Sequence, residues 1–278
     1  MPLKLMYITN NPKVASIAEK YGVDRIFVDL ETLGKEERQH NMNTVKSHHT
    51  INDVAVIRKA ISKAELLVRV NPINPLSKEE IDCVIENGAD IIMLPMFETV
   101  SEVKEFIQFV NGRAKIMLLV ETKKAMESLN DISRISGIDE IHIGLNDLHL
   151  QLNKRFMFEL LSDGTVESMC KILQKSPVKR YGFGGIARLD EGLIPARHII
   201  AEHYRLGSTM AILSRSFYDS WLNDDIEEIS RVFKYGLIEI REYEKRLEKE
   251  DFAFFKNNSS ILKEEIKSVL MRINKCEN

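Results

Sequence analysis

At 278 residues, with 44% hydrophobic and 29% charged residues, the chain has the composition of a globular protein with a substantial core, and one large domain accounts for its length. Lys+Arg 39 against Asp+Glu 42 leaves a net charge of -3, which argues against nucleic-acid partners, because phosphate neutralisation needs an excess of basic residues. Cys83, Cys170 and Cys276 have neither disulfide-framework nor zinc-ligand spacing, and the sequence offers no long apolar run, so it reads as a cytoplasmic protein with no membrane partner.

Short apolar runs, rich in β-branched residues, fall at 3–9, 25–30, 66–71, 91–96, 116–121, 140–144, 180–184 and 210–214. Between several of them lie apolar residues spaced three and four apart, such as Val54-Ile57-Ile61, Ile81-Val84-Ile85 and Val103-Phe106-Ile107-Val110, the signature of amphipathic helices. Ser77 and Ser101, each ahead of acidic residues, read as helix N-caps; Asn87-Gly88 and Asn111-Gly112 read as helix ends, where glycine takes a left-handed cap. Eight such strands, some apolar throughout like Ile91-Ile92-Met93-Leu94, predict an α/β fold: a (β/α)8 TIM barrel over residues 1–218. A doubly wound open sheet is the alternative, but neither G-x-G-x-x-G after the first strand nor G-x-x-x-x-G-K-[ST] occurs. Residues 219–278 read as a C-terminal helical extension, with helices over roughly 220–249 and 260–274. Its apolar stripe Ile226-Ile229-Val232-Phe233-Leu237-Ile240 would pack on the barrel or on a neighbouring subunit.

In a parallel barrel, functional groups gather at the carboxyl ends of the strands. The polar residues there are Asp29, Glu31, Arg69, Asn71, Glu98, Glu121, Asn146, Asp147, Arg188, Ser214 and Arg215. A carboxylate ending a strand as apolar as that before Glu121 is costly to bury without a cation, and Asp147 stands in the same relation to the next strand. Together the two describe a hard-cation site for Mg2+, with Mn2+ as the alternative, although either alone suits a salt bridge or cap equally well. Arg69, two residues ahead of Asn71-Pro72, can grip a carboxylate through two parallel hydrogen bonds; the competing reading is a structural ion pair with Glu31 or Glu98. Gly182, Gly184 and Gly185, followed by Arg188, fit either a phosphate corner or a tight bend. His48, His49 and His149 titrate near working pH and could move a proton, though such histidines are more often inert.

Five segments in order, FVDLE (27–31), LVRVNP (67–72), GADIIMLPMFET (88–99), LLVETKKAMESLNDI (118–132) and DEIHIGLNDL (139–148), resemble the HpcH/HpaI aldolase and citrate lyase β-subunit superfamily. The resemblance implies a metal-dependent carbon–carbon lyase on a (β/α)8 barrel, assembled as a homo-oligomer, usually a trimer or hexamer. It makes Glu121 and Asp147 the metal ligands, and Arg69 the catalytic residue that binds a 2-oxo acid and stabilises its enolate. It also sets the backbone amides of Gly144, Leu145 and Asn146 beside the substrate carboxylate, while Glu31 and His149 are the candidates for holding water or moving a proton.

Two departures stand out. Thr32 occupies the position where the family's hydroxy-oxo-acid aldolases carry a catalytic histidine, and Leu145 replaces the proline usual after the glycine of the sixth strand. Three readings therefore remain: an aldolase acting on a pyruvate- or oxaloacetate-type 2-oxo acid; a citryl- or malyl-CoA lyase, with Lys35, Arg38 and Lys46 as contributors to a groove for the CoA thioester; and a barrel that has lost its base and serves in ligand binding or assembly.

Overall fold

The computed structural model describes residues 1–34, 49–218 and 225–276. Eight parallel strands close a barrel in sequence order: β1 (Lys4–Ile8), β2 (Arg25–Asp29), β3 (Glu65–Arg69), β4 (Ile91–Leu94), β5 (Lys115–Val120), β6 (Glu140–Ile143), β7 (Arg180–Ile186) and β8 (Met210–Leu213), with β8 pairing back onto β1. Each run predicted from sequence coincides with a strand to within two residues at either end. The described helices are α1 (Pro12–Lys20), α2 (Ile51–Ala60), α3 (Ser77–Glu86), α4 (Val100–Val110), α5 (Lys123–Glu127), α6 (Leu129–Ile132), α7 (Leu145–Gln151), α8 (Glu159–Ser162), α9 (Thr165–Leu173), α10 (Ala196–Arg205), α11 (Ile226–Leu247) and α12 (Phe252–Cys276).

Both predicted serine caps are displaced. The cap of α4 is Thr99, whose hydroxyl accepts from the Glu102 amide (3.2 Å) while the Glu102 carboxylate takes the Thr99 amide (2.8 Å), so Ser101 falls inside the first turn. Ser77 is itself the first residue of α3, and its hydroxyl accepts from the Asn74 amide (2.9 Å), closing the turn that leads in. The helix ends are as expected: Gly88, Asn111 and Gly112 all take positive φ.

Alternation along the strands decides what faces the barrel interior. Met6, Phe27, Leu67, Ile91, Met93, Met117, Leu119 and Met210 form the inner apolar cluster, while their neighbours in sequence, such as Ile26, Val28, Leu66, Val68 and Leu118, belong to the core between sheet and helices. One step of two below Phe27 lies Arg25, and its guanidinium reaches across the barrel floor to both carboxylate oxygens of Glu140 (2.5 and 2.7 Å) and sideways to Glu65 (2.9 Å). One step of two above Phe27 and Leu67 lie Asp29 and Arg69, paired in register at the opposite end.

Two histidines in this scaffold are buried and neutral. His142 faces inward from β6 and donates through Nε2 to the Gly184 carbonyl (3.1 Å), and burial lowers its pKa to about 4. His203 on α10 stacks on Phe183 with centroids 3.8 Å apart, bonds Ser208 through Nδ1 (2.7 Å), and is lowered to about 3 by burial and by His142. Both groups gain a proton more readily once unfolded, so the stability they leave intact above their unfolded pKa is lost as pH falls from there toward the folded values. We expect His203→Leu to flatten the fall in unfolding free energy between pH 7 and pH 5 by about 2 kcal/mol in denaturant titrations. Profiles that run parallel for variant and wild type would contradict it.

Beyond β8, α11 buries Ile229, Val232, Phe233, Leu237 and Ile240, with Ile226 at its exposed end. Phe233 meets Tyr7 edge-on at 4.9 Å, and the helix packs between α1 and α10, so the stripe read from sequence is used against the chain's own barrel. The last helix starts at Phe252, eight residues before the position expected, because Asp251 accepts the Phe254 amide (2.9 Å) and starts the helix through a Phe-Ala-Phe-Phe run that carries no periodicity. It lies on α10 and α8.

Candidate active site

The carboxyl-end layer of the interior gathers Asp29 (β2), Glu121 (after β5) and Glu31, all buried, and Arg69 (β3), whose side chain is 14% exposed. Asp29 holds the Arg69 guanidinium edge-on, with Nε to Oδ1 and Nη2 to Oδ2, both 2.8 Å, and Nη1 stands 3.2 Å from Glu31. The guanidinium carbon lies 5.7 Å from the centre of the Phe27 ring, a cation–π contact from the layer below. Burial opposes the charge of Arg69, but Asp29 and Glu31 outweigh it and hold the side chain firmly protonated.

Glu121 is the most perturbed acid here. Desolvation first and the Asp147 carboxylate second push its pKa well above the usual carboxylate range, with Arg69 pulling the other way and Glu31 adding repulsion. Its Oε1 accepts the Met96 amide (3.1 Å), which the chain presents by taking Met96 into the left-handed region at φ 51°, an unfavourable conformation for a non-glycine residue. Its Oε2 has room because residue 144 is glycine: a Cβ there would stand 2.9 Å from Oε2 and 2.8 Å from the Glu121 Cβ. Two buried, mutually repelling carboxylates are the donor set of a hard divalent cation, so the residues fit Mg2+. Among the described residues no three His, Cys, Asp or Glu side chains form a metal-ligating group. A two-carboxylate set suits a cation that keeps its waters and takes substrate oxygens.

Asp147 reaches this layer differently from the sequence expectation. Gly144 follows β6 and is the N-cap of α7, so Asp147 comes from the first turn of a helix rather than from the end of a strand. The Gly144 amide donates to the Val120 carbonyl (2.9 Å), and the Leu145 and Asn146 amides belong to the first turn of α7, where intrahelical acceptors are lacking. The Leu145 side chain is buried against Gly184, where a Cβ would meet it at 2.7 Å, and a Cβ at Gly182 would strike the Met210 carbonyl at 2.1 Å. Packing thus accounts for two of the seventh-strand glycines, and Arg188 pairs with Glu191 at 2.6 Å.

His149 is buried in α7 with Nδ1 bonded to the Leu145 carbonyl of its own helix (3.2 Å). His49 accepts the Asp29 amide at Nδ1 (3.0 Å), so its ring proton sits on Nε2. Thr32 is turned away: its amide (2.9 Å) and hydroxyl (3.3 Å) both go to Asn71 Oδ1, and Asn71 is held by Glu80 (2.8 Å). His48, Lys35, Arg38 and Lys46 lie outside the described residues. Sequence reading placed Asp29 among the polar strand ends without giving it a partner, and gave Phe27 and the Met96 amide no role. The step of two along β2 could have flagged the first two, whereas a left-handed methionine leaves no sequence signal.

The sequence matches the HpcH/HpaI aldolase/citrate lyase family over residues 4–179, which is more than half of the chain. The chain belongs to that family. Among solved structures, an HpcH/HpaI aldolase from Desulfitobacterium hafniense DCB-2 is similar at 15% identity and TM-score 0.61, covering 82% of this chain and 93% of the other. An HpcH/HpaI aldolase/citrate lyase family protein from Burkholderia cenocepacia J2315 reaches TM-score 0.62 at 14% identity, covering 82% and 94%. A tryptophan synthase from M. tuberculosis scores 0.59 at 11% identity over 86% and 94%, so likeness of shape at this level establishes the barrel and the family match carries the chemistry. Membership of this HpcH/HpaI family makes the chain an enzyme of carbon–carbon lyase type, with a buried arginine network at its barrel mouth. Among the described residues no helix is long and apolar enough to cross a membrane.

Proposed function

We propose that the protein is a Mg2+-dependent lyase that cleaves or forms a carbon–carbon bond in a 2-oxo acid of pyruvate or oxaloacetate type. The observation that carries this reading is the placement of Glu121 beside Asp147 and a protonated Arg69 at the carboxyl end of the barrel, two neighbouring carboxylates of the kind a hard divalent cation takes. Bound there, the metal would supply Lewis-acid polarisation of a keto and a carboxylate oxygen.

The chain's own groups account for the rest. Arg69 keeps its charge in a dry layer, where it stabilises negative charge growing on the substrate's keto oxygen as the bond breaks. Glu31, beside Arg69 Nη1, takes the proton of the substrate's 4-hydroxyl as the C3–C4 bond breaks and that hydroxyl becomes the aldehyde carbonyl, then returns the proton to C3 of the enolate; it so stands in for the imidazole that Thr32 does not provide. His149 is the second proton carrier within the same family reading. Assembly into a trimer or hexamer belongs to the proposal as well.

Assay of a panel of 4-hydroxy-2-oxo acids, citryl-CoA and malyl-CoA tests it. We expect release of pyruvate, oxaloacetate or glyoxylate that stops with EDTA and returns with Mg2+, and dependence on CoA separates the thioester lyases from the aldolases. Mg2+ and oxalate binding without turnover of any of these compounds would overturn the lyase reading in favour of a binding protein, which the engagement of Thr32 with Asn71 would then explain.

A further inference from the structure

We infer that Asp29 is the positioning residue of this site, the group that fixes the plane and direction of the Arg69 guanidinium; the inference rests on the lyase reading above. A free arginine side chain has several rotatable bonds and loses considerable freedom when held in one pose. Here the loss is met within the fold. Asp29 engages one whole edge of the guanidinium, Nε and Nη2, through two parallel hydrogen bonds of 2.8 Å, and the Phe27 ring lies under it.

Asp29 is itself rigid. It sits in register opposite Arg69 on the neighbouring strand, it is 2% exposed, its Oδ1 also accepts the Glu31 amide (3.2 Å), and its own amide is held by His49 Nδ1 (3.0 Å). The same residue therefore ties together Arg69, the backbone of Glu31 and an imidazole. With that edge taken, the second N–H of Nη2 and the Nη1 group, which stands beside Glu31, are left to meet substrate oxygens.

Geometry and charge separate in the variants Asp29→Glu, which keeps the charge and shifts the carboxylate by one methylene, and Asp29→Asn, which keeps the shape and loses the charge. Calorimetric titration with MgCl2, then with sodium oxalate in saturating Mg2+, reads metal binding and 2-oxo-acid-type binding apart. We expect both variants to hold Mg2+ within about threefold of wild type and to bind oxalate at least about thirtyfold more weakly. In an Arg69→Lys background, Asp29→Glu should weaken oxalate by less than about threefold more, because the group it positions is gone. Wild-type oxalate affinity in Asp29→Glu, or a full further loss in the Arg69→Lys background, would overturn the assignment while leaving the lyase reading standing. Failure of the wild-type protein to bind oxalate in Mg2+ would bring down both.

Discussion

Arg25→Met is expected to destabilise the protein by about 3–5 kcal/mol, the usual cost of leaving one partner of a buried ion pair without the other. Arg25 is fully buried and Glu140 is 2% exposed, and the pair spans the barrel floor from β2 to β6. Removing the guanidinium leaves the Glu140 carboxylate dry, with Arg180 at 3.6 Å from a more exposed position as its remaining counter-charge. Glu65 is less affected, because it is partly exposed and also pairs with Lys115. The double variant Arg25→Met with Glu140→Leu should recover most of the loss, since two well-packed apolar residues replace a desolvated pair at little net cost. Urea titrations of wild type, single and double variants check this. A loss below about 1 kcal/mol in the single variant would show that the floor pair is not a structural element. Mg2+ and oxalate binding, at the other end of the barrel, should survive in the double variant.

Glu121→Gln is expected to weaken Mg2+ binding by at least about 100-fold and to abolish lyase turnover, while raising stability at neutral pH. The sign follows from linkage. The folded pKa of Glu121 is raised above its unfolded value by burial and by Asp147, so the folded state favours the protonated form. Stability contributed by this group is fully present below the unfolded carboxylate pKa and is lost as pH rises through the folded one. Glutamine keeps the shape and removes the charge, so the variant's advantage should be larger at pH 8 than at pH 4.5. Thermal melts at the two pH values measure it. A variant that is less stable than wild type at pH 8 would mean that Glu121 is paired in the metal-free protein and is not held there for a cation.

Much of this architecture was legible in the sequence, for a definite reason. A parallel strand covered on both faces must be apolar throughout, so runs such as Ile91-Ile92-Met93-Leu94 mark strands without help from tertiary context, and all eight emerged. The stripe Ile229-Val232-Phe233-Leu237-Ile240 showed α11 in the same way. Boundaries were harder, because hydroxyl residues cluster at helix starts: Thr99 and Ser101 both suit a cap, and only the capping box with Glu102 decides between them. Delivery of Asp147 by a helix turn was hidden because a seven-residue helix following the strand directly is too short to show a period.

The site divides along similar lines. Acids and an arginine at the ends of apolar runs announced themselves, since burying them unpaired is costly. Their pairing did not. Sequence offered Glu31 or Glu98 as the structural partner of Arg69, whereas the structure gives it Asp29 and Glu31, and Glu98 pairs with Lys124. The register Asp29↔Arg69 makes that choice, and register is a property of the closed barrel rather than of either strand alone.

Calorimetric titration of MgCl2 into wild type, Glu121→Gln and Asp147→Asn at pH 7, in two buffers of different ionisation enthalpy, shows whether Glu121 and Asp147 share one divalent cation. We expect the wild-type protein to take up one Mg2+ per chain with release of a proton that Glu121→Gln loses, and both variants to bind at least about 100-fold more weakly. Unchanged Mg2+ affinity in the two variants would contradict the account.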